Sequence, residues 1–299
     1  MTGVISGVIL KGVGGVYTVA VLSANAEADS NTYTCTARGV FRNRKTTPLV
    51  GDRAEIEITN SEKKIGIIHT ILPRENELRR PPAANINQVI ITVSTTNPPF
   101  NAGLLDRFLL MVEHESIPIL ICVNKIDLSS MDAFEPYEKA GYPVVYACAL
   151  SHAGLERLRE KMRGKLNLFA GPSGVGKSSL INALSPGINL ETGSLSAKTG
   201  RGKHTTRHTE IFPLGPNPED GFCFDTPGFT SLDISHIQKN ELAPLFREFR
   251  PFSPSCKFSD CRHHHETDCA VKAQVGKSIS PERYESYIKL RKAVTGGFA

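Results

Sequence analysis

The sequence predicts a multidomain chain: a small all-β barrel, an α/β domain with a mainly parallel sheet, and a small helical, cysteine-rich segment. Three observations carry this. Residues 1–70 hold only short strand-like runs between glycine and polar turns. From Gln88 onward, apolar strands alternate with helix-spaced runs. Three of the seven cysteines then crowd into residues 256–269. With 299 residues there is room for two or three domains and at least one sizeable core. A composition of 40% hydrophobic and 22% charged residues is ordinary for a globular protein. No apolar run approaches the roughly 18 residues of a membrane helix. The N-terminus reads as strands rather than a secretory signal. A cytoplasmic chain with no membrane partner is therefore expected. The net charge of +5 permits a nucleic-acid partner.

The barrel strands are "GVYTVAVL", "NTYTCTA", "DRAEIEI", "KIGIIHTIL" and the apolar N-terminal run before them. In "RAEIEI", Ala54, Ile56 and Ile58 alternate with charged residues, the period of a half-buried strand. About five short strands in so small a segment imply an OB-fold. Between them, "ARGVFRNRKTTPLVGDR" carries Arg38, Arg42, Arg44, Lys45 and Arg53. It reads equally as an RNA-binding surface or as a solvated basic loop. "LPRENELRRPPAANINQ" marks a boundary, placing domains at 1–70, 71–234 and 235–299.

In the central part, "QVIITVST", "PILICVNK", "YPVVYACA" and "KLNLFAG" are buried strands. "GLLDRFLLMVEHESI", "GLERLREKM" and "GKSSLINAL" are helices. The alternation requires a parallel sheet covered on both faces. Gly171 to Ser178, "GPSGVGKS", fits G-x-x-x-x-G-K-S between a strand and a helix. Its glycines let backbone N–H groups turn toward phosphate oxygens, and the helix N-terminus favours negative charge. The phosphate-binding candidates are Pro172, Ser173, Gly174, Val175, Gly176, Lys177, Ser178, Ser179 and Leu180. Lys177 would reach the β- and γ-phosphates, and Ser178 would ligate magnesium. The loop alone does not distinguish GTP from ATP, or hydrolysis from kinase chemistry.

Downstream, "FCFDTPGF" ends a strand at Asp225, with Gly228 three residues on. Asp-x-x-Gly here suits an outer magnesium carboxylate and a glycine N–H for the γ-phosphate. Between the two motifs, "TGRGKHTTRHTE" suits a switch loop whose threonine closes onto magnesium, Thr206 first and Thr205 in reserve.

"NKID", residues 124–127, precedes the phosphate loop. Guanine offers its N1–H and 2-amino group as paired donors on one edge. One carboxylate, Asp127, can accept both, whereas adenine would leave that carboxylate unpaired. Asn124 can contact the O6/N7 side and tie this loop to the phosphate site. Lys125 can lay its stem over the base, and Ile126 completes the motif. Cys148 and Ala149, in the turn after the next strand, are further base-contacting candidates or simply a strand end. Cys35, Cys122, Cys148 and Cys223 otherwise read as small buried hydrophobes.

Cys256-x4-Cys261-x-His263-x5-Cys269 offers three thiolates and an imidazole, the inventory of a closed structural zinc site. His263, His264 and His265 compete for the fourth position. Such a zinc would hold a domain too short to build its own core. Lys257, Arg262 and Lys272 suggest that it faces RNA.

Read cyclically, the order of base motif, phosphate loop, switch and Asp-Thr-Pro-Gly is that of an ordinary GTPase. The chain resembles the small-ribosomal-subunit-dependent GTPase A family (RsgA/YjeQ/YloQ) over nearly its whole length. "LPRENELRRPPAANINQ", "NKID", "GPSGVGKSSLIN", "GRGKHTTRHTE", "DTPGF" and "CKFSDCRHHHETDCAV" carry the resemblance. It implies an N-terminal OB-fold, a central α/β P-loop GTPase with circularly permuted motif order, and a C-terminal zinc-binding domain. It implies GTP hydrolysis stimulated by the small ribosomal subunit, in that subunit's late maturation. The expected ligands are GTP or GDP, Mg2+ and one structural Zn2+ held by Cys256, Cys261, His263 and Cys269. The expected partners are the small subunit and its rRNA, with other assembly factors in reach of a monomeric chain. Phe229 stands where Ras-like enzymes place a water-orienting glutamine, and the resemblance puts His204 in that role. "ACALSH" is a loose version of the family's Ser-Ala turn. Two rival readings are an RNA-binding module using nucleotide occupancy only as a switch, and a P-loop kinase. "NKID" and the want of an acceptor site argue against the kinase.

Overall fold

The computed structural model describes residues 4–21, 32–37, 47–79, 82–128, 132–185, 187, 188, 190, 209–225, 234 and 237–294. His204, Thr205, Thr206 and Gly228 lie outside them, as does the side chain of Asp225.

Five strands form the N-terminal barrel: β1 (Val4–Val13), β2 (Val16–Val21), β3 (Thr32–Ala37), β4 (Arg53–Asn60) and β5 (Ile65–Ile71). They pair in the order β1-β2-β3-β5-β4, and β4 returns to β1. Only the β3–β5 pair within it is parallel. The closed five-stranded order is that of an OB-fold, which leaves no open edge within the barrel. Ile9, Val19, Cys35, Ala54, Ile56 and Ile68 fill its interior. Ala54 and Ile56 point inward and Glu55 and Glu57 outward, as their alternation requires.

A short hairpin follows, β6 (Glu77–Arg79) and β7 (Pro82–Ala84). The described residues of the proline-rich boundary segment thus form a hydrogen-bonded junction. Asn76 exchanges hydrogen bonds with the backbone of Ile86 at 2.8 and 2.9 Å. Asn85 donates to the Gly51 carbonyl at 3.0 Å. Arg74 forks onto the fully buried Asp52 at 2.7 and 2.8 Å. The first contact closes the hairpin segment on itself, and the other two tie that segment to the barrel loop before β4.

The central elements are β8 (Gln88–Ser94), α1 (Ala102–His114), β9 (Ile119–Asn124), α2 (Glu135–Lys139), β10 (Val144–Tyr146), α3 (Leu155–Met162), β11 (Leu166–Ala170), α4 (Lys177–Leu184), β12 (Glu210–Pro213) and β13 (Phe222–Asp225). The strands run β10-β9-β8-β11-β13-β12. All neighbours are parallel except β12 against β13. Every residue of β8, β9 and β11 is buried, because both faces are covered. Val89, Ile91 and Val93 face the α1 side, whereas Ile90 faces α3 and α4. At its far edge β12 meets β1 through the Lys11–Glu210 register, where the two side chains form a 2.6 Å ion pair.

The C-terminal region contains α5 (Leu242–Leu245) and α6 (Pro281–Ala293). Contrary to the sequence expectation, it does build a core. Phe246, Phe249, Val271, Ile279, Tyr287 and Leu290 bury one another and pack on Leu110 of α1. The aromatic rings supply the volume that the short chain length argued against: Phe249 and Tyr287 meet at 5.0 Å and Phe246 and Tyr287 at 5.3 Å, both edge to face. Among the described residues, no helix is long and apolar enough to cross a membrane.

A nucleotide site and a metal-ligand cluster

The "NKID" segment leaves the C-terminal end of β9, and the phosphate-loop sequence leaves that of β11. Only β8 separates the two strands. The reversed sequence order therefore costs nothing in space, and both motifs open on the sheet edge where α/β folds bind ligands.

Two glycines of the loop show why no other residue fits. Gly171 has φ +134°, and a Cβ there would lie 2.1 Å from the Thr92 carbonyl oxygen. Gly176 has φ +94°, and its Cβ would lie 2.4 Å from Asn124 Nδ2. Absence of these side chains lets the loop wrap against β8 and the base motif. Buried Asn124 donates from Nδ2 to the Val175 carbonyl at 2.8 Å. Its Oδ1 accepts the Ala149 N–H at 3.2 Å. One side chain thus stitches together the base loop, the phosphate loop and the turn after β10. Lys125 donates to the carbonyl oxygens of Gly174, at 2.8 Å, and of Asn97.

Asp127 is exposed, and its Oδ1 accepts the thiol of Cys148 at 3.1 Å. The Cys148 sulfur in turn accepts the Ser151 N–H at 3.4 Å. Cys148 is buried, but it is more than the small hydrophobe its surroundings suggested. It orients the carboxylate. Lys177 Nζ donates to the loop carbonyls of Gly171 and Pro172 at 2.8 and 2.7 Å. Burial pushes the pKa of its ammonium down to about 8.

Residues 172–180 occupy the loop and the first turns of α4, so Ser178 sits at the helix start. Ile126 packs on the α1-side core. The sequence reading missed the segment after β8, "TTNPPF". Asn97 grips Lys125, and Pro98 lies beside Gly174, 3.7 Å from where a Cβ would be. Its signal was present: a proline pair directly after a buried strand.

The second cluster lies in the C-terminal region. One donor atom each from Cys256, Cys261, His263 and Cys269 all fall within 4.8 Å of one another. His263 Nδ1 is 3.3 Å from the Cys269 sulfur and 3.6 Å from that of Cys256. The Cys256 and Cys269 sulfurs are 3.9 Å apart. Bonds of about 2.3 Å to sulfur and 2.0–2.1 Å to nitrogen around a tetrahedral zinc need such separations. Hence the donors fit the ion in kind and spacing. His264 and His265 instead stack on each other, with ring centres 3.7 Å apart. Ser253 lies 3.3 Å from the other ring nitrogen of His263. Tyr284 donates to the His263 carbonyl at 2.8 Å, and Tyr287 to that of Arg262 at 2.6 Å. Of the basic residues expected to face RNA, Lys257 is paired with Asp268 at 2.8 Å, and Lys272 donates to the Glu266 carbonyl.

This sheet order, with a phosphate loop and a base motif at the ends of two strands that flank β8, defines a P-loop GTPase of circularly permuted order. The crystal structure of YloQ, described as a circularly permuted GTPase, superposes with a TM-score of 0.83 at 34% identity, covering 99% of this chain and 97% of its own. YjeQ from Thermotoga maritima gives a TM-score of 0.83 at 32% identity, covering 99% and 100%. The RsgA GTPase profile matches residues 71–235 and the RsgA N-terminal domain profile residues 6–68. Relatives named small ribosomal subunit biogenesis GTPase RsgA include those of Alkaliphilus metalliredigens, 43% identical over 95% of this chain and 96% of that one, and Clostridium novyi, 42% identical over 97% and 98%. The chain belongs to the RsgA GTPase family. Family membership makes it a GTP hydrolase and implies a guanine nucleotide with magnesium.

Proposed function

We propose that the chain hydrolyses GTP while bound to the small ribosomal subunit, and that it acts in the cytoplasm as a maturation factor for that subunit. The Asn124 stitch carries the nucleotide part, since it fixes the base loop against the phosphate loop at one distance. Asp127 accepts the two guanine donors, held in place by Cys148. The backbone of residues 172–176 cradles the phosphates, and Lys177 exchanges its loop carbonyls for phosphate oxygens. Ser178 and Thr206 hold magnesium, with Asp225 behind them and Gly228 toward the γ-phosphate. Magnesium supplies charge neutralisation between the β- and γ-phosphates. His204 positions the attacking water in place of the glutamine that Phe229 replaces. Cys256, Cys261, His263 and Cys269 hold one zinc, whose role is structural because four protein ligands leave no open position. Domain limits at 1–70, 71–234 and 235–299 follow from the same reading. The names of the relatives support the partner, and rRNA is the part of it that a chain of net charge +5 favours.

Steady-state turnover of GTP and of ATP, with and without purified small subunits, tests the proposal. GTP-selective turnover that rises with the subunit is expected. Equal use of ATP, or indifference to the subunit, contradicts it. Phe229 favours one alternative, in which the nucleotide only marks occupancy. An unchanged hydrolysis rate in His204→Ala would remove the role proposed for that residue.

Two further results are expected. In Cys148→Ala the base carboxylate loses its donor, and affinity for guanine nucleotides falls by roughly three- to tenfold. Cys148→Ser, which restores a donor, keeps it. Equal affinities of the two variants, measured by GDP titration, would remove this role. Binding should also be linked to protons. Since the free Lys177 titrates near 8, below its ordinary value, part of it is neutral above pH 8. A bound polyphosphate favours the charged form, so binding takes up a proton there and weakens as pH rises from 8 toward 10. Calorimetry of GDP binding at pH 8.5, in buffers of different ionisation enthalpy, reads this uptake directly. Identical heats in the two buffers would count against it.

A further inference from the structure

We infer that Arg283, which α6 of the C-terminal region inserts against the central domain, is a positioning residue for the loop proposed above to read the base; the inference rests on that reading. Arg283 is 3% exposed. It donates to Glu248 at 2.7 and 3.2 Å and, on its other side, to Asp106 of α1. Its guanidinium also lies over the Tyr137 ring of α2, 5.1 Å from the centre. One side chain from the C-terminal region therefore braces both α1 and α2.

These two helices are the backing of the base loop. Tyr137 packs with Phe134 at 6.5 Å, and Phe134 with Phe100 at 4.7 Å. Ile126, inside the base motif, rests on the same apolar cluster. Phe100 closes the segment whose Asn97 carbonyl holds the Lys125 ammonium. Asn101, next along, caps α1 by accepting the Leu104 N–H at 3.0 Å. Thus the underside of the base motif and the anchor of its lysine both lean on residues 97–137, and Arg283 clamps that stretch from behind. The phosphate loop lies outside the aromatic stack and meets this stretch through Asn124 at Val175, Lys125 at Gly174 and Pro98 beside Gly174.

The consequence separates this brace from the switch. Arg283 supports the base side, which GDP and GTP share. Losing the brace weakens both nucleotides equally and raises KM without changing kcat. The coupling is reciprocal, so a bound guanine nucleotide also steadies α6. That helix holds the metal-ligand loop through Tyr284 and Tyr287.

The test uses the full chain carrying Arg283→Met, Glu248→Gln or Arg250→Gln. Glu248→Gln keeps shape and volume and serves if Arg283→Met does not fold. Arg250 forms a 2.6 Å ion pair with Glu113 across the same interface, away from the aromatic stack, and is the control. GDP and GTP affinities, KM and kcat are measured for each. Arg283→Met and Glu248→Gln are expected to weaken GDP and GTP by the same factor, about three- to tenfold, with kcat unchanged and Arg250→Gln unaltered. Unchanged affinity, a loss for GTP alone, a fall in kcat alone, or an equal effect of Arg250→Gln would each overturn the inference. Asp127→Asn is measured in parallel. If it keeps its preference for guanine, the base reading itself fails. If it loses that preference while Arg283→Met and Glu248→Gln bind normally, only the role of Arg283 fails.

Discussion

Cys269→Ser is expected to melt the C-terminal region while the central sheet keeps its fold. Cys269 is buried within the same apolar cluster as Phe249 and Tyr287, so its sulfur serves both as metal donor and as core. Serine would leave a small void and an unpaired hydroxyl. It would also reduce a closed four-donor site to three. Loss of a structural metal belongs with the substitutions that cost more than about 4 kcal/mol. Full zinc-finger values of about 10–16 kcal/mol are an upper bound, because those fingers lack the aromatic core present here. Two ion clusters hold the region to α1: Arg283 between Asp106 and Glu248, and Glu113 accepting Arg247 at 2.5 Å and Arg250 at 2.6 Å. The melted region would thus leave Asp106 and Glu113 without their arginine partners, which lowers the stability of α1 as well. Hydrogen exchange with and without a zinc chelator measures the outcome. Protection should vanish over residues 237–294 and persist over β8, β9 and β11. A chain that releases its zinc yet keeps full protection in the C-terminal region would show that the aromatic core suffices alone.

The parts of this fold that the sequence revealed are those with local signatures. The alternation in "RAEIEI", the unbroken apolar runs of β8, β9 and β11, and the glycine spacing of the phosphate loop each encode their element in a few adjacent residues. What stayed hidden depends on residues far apart in the chain. Phe246, Phe249, Tyr284 and Tyr287 form one stack, but over thirty residues separate its two halves. No periodicity joins them. The grip of Asn97 on Lys125 spans 28 positions and uses a main-chain carbonyl, which any residue type could offer. The thiol of Cys148 looked apolar in sequence, since only the fold brings Asp127 within 3.1 Å of it. The strand β12, which begins at the last residue of the switch stretch, had no assignment in the sequence, because its four residues are too few to show alternation. His263 could not be told from His264 and His265 by spacing alone. The backbone does so, turning His263 through φ +54° so that its ring meets the three sulfurs.

The central claim is that a motif placed before the phosphate loop in sequence reads guanine beside it in space. Asp127→Asn tests it with the smallest change of shape. A carboxylate accepts from both N1–H and the 2-amino group of guanine. An asparagine offers one acceptor and one donor, so its amide N–H would oppose the amino group. Affinity for guanosine diphosphate should fall by at least about 10³-fold, because the buried donors of the base lose a charged partner and meet a donor instead. Xanthine carries a carbonyl where guanine carries the amino group, and it matches asparagine's acceptor and donor pair. The decisive measurement is therefore the ratio of affinities of Asp127→Asn for guanosine and xanthosine diphosphates. The account predicts a reversal in favour of xanthosine; a variant that still prefers guanosine would contradict it.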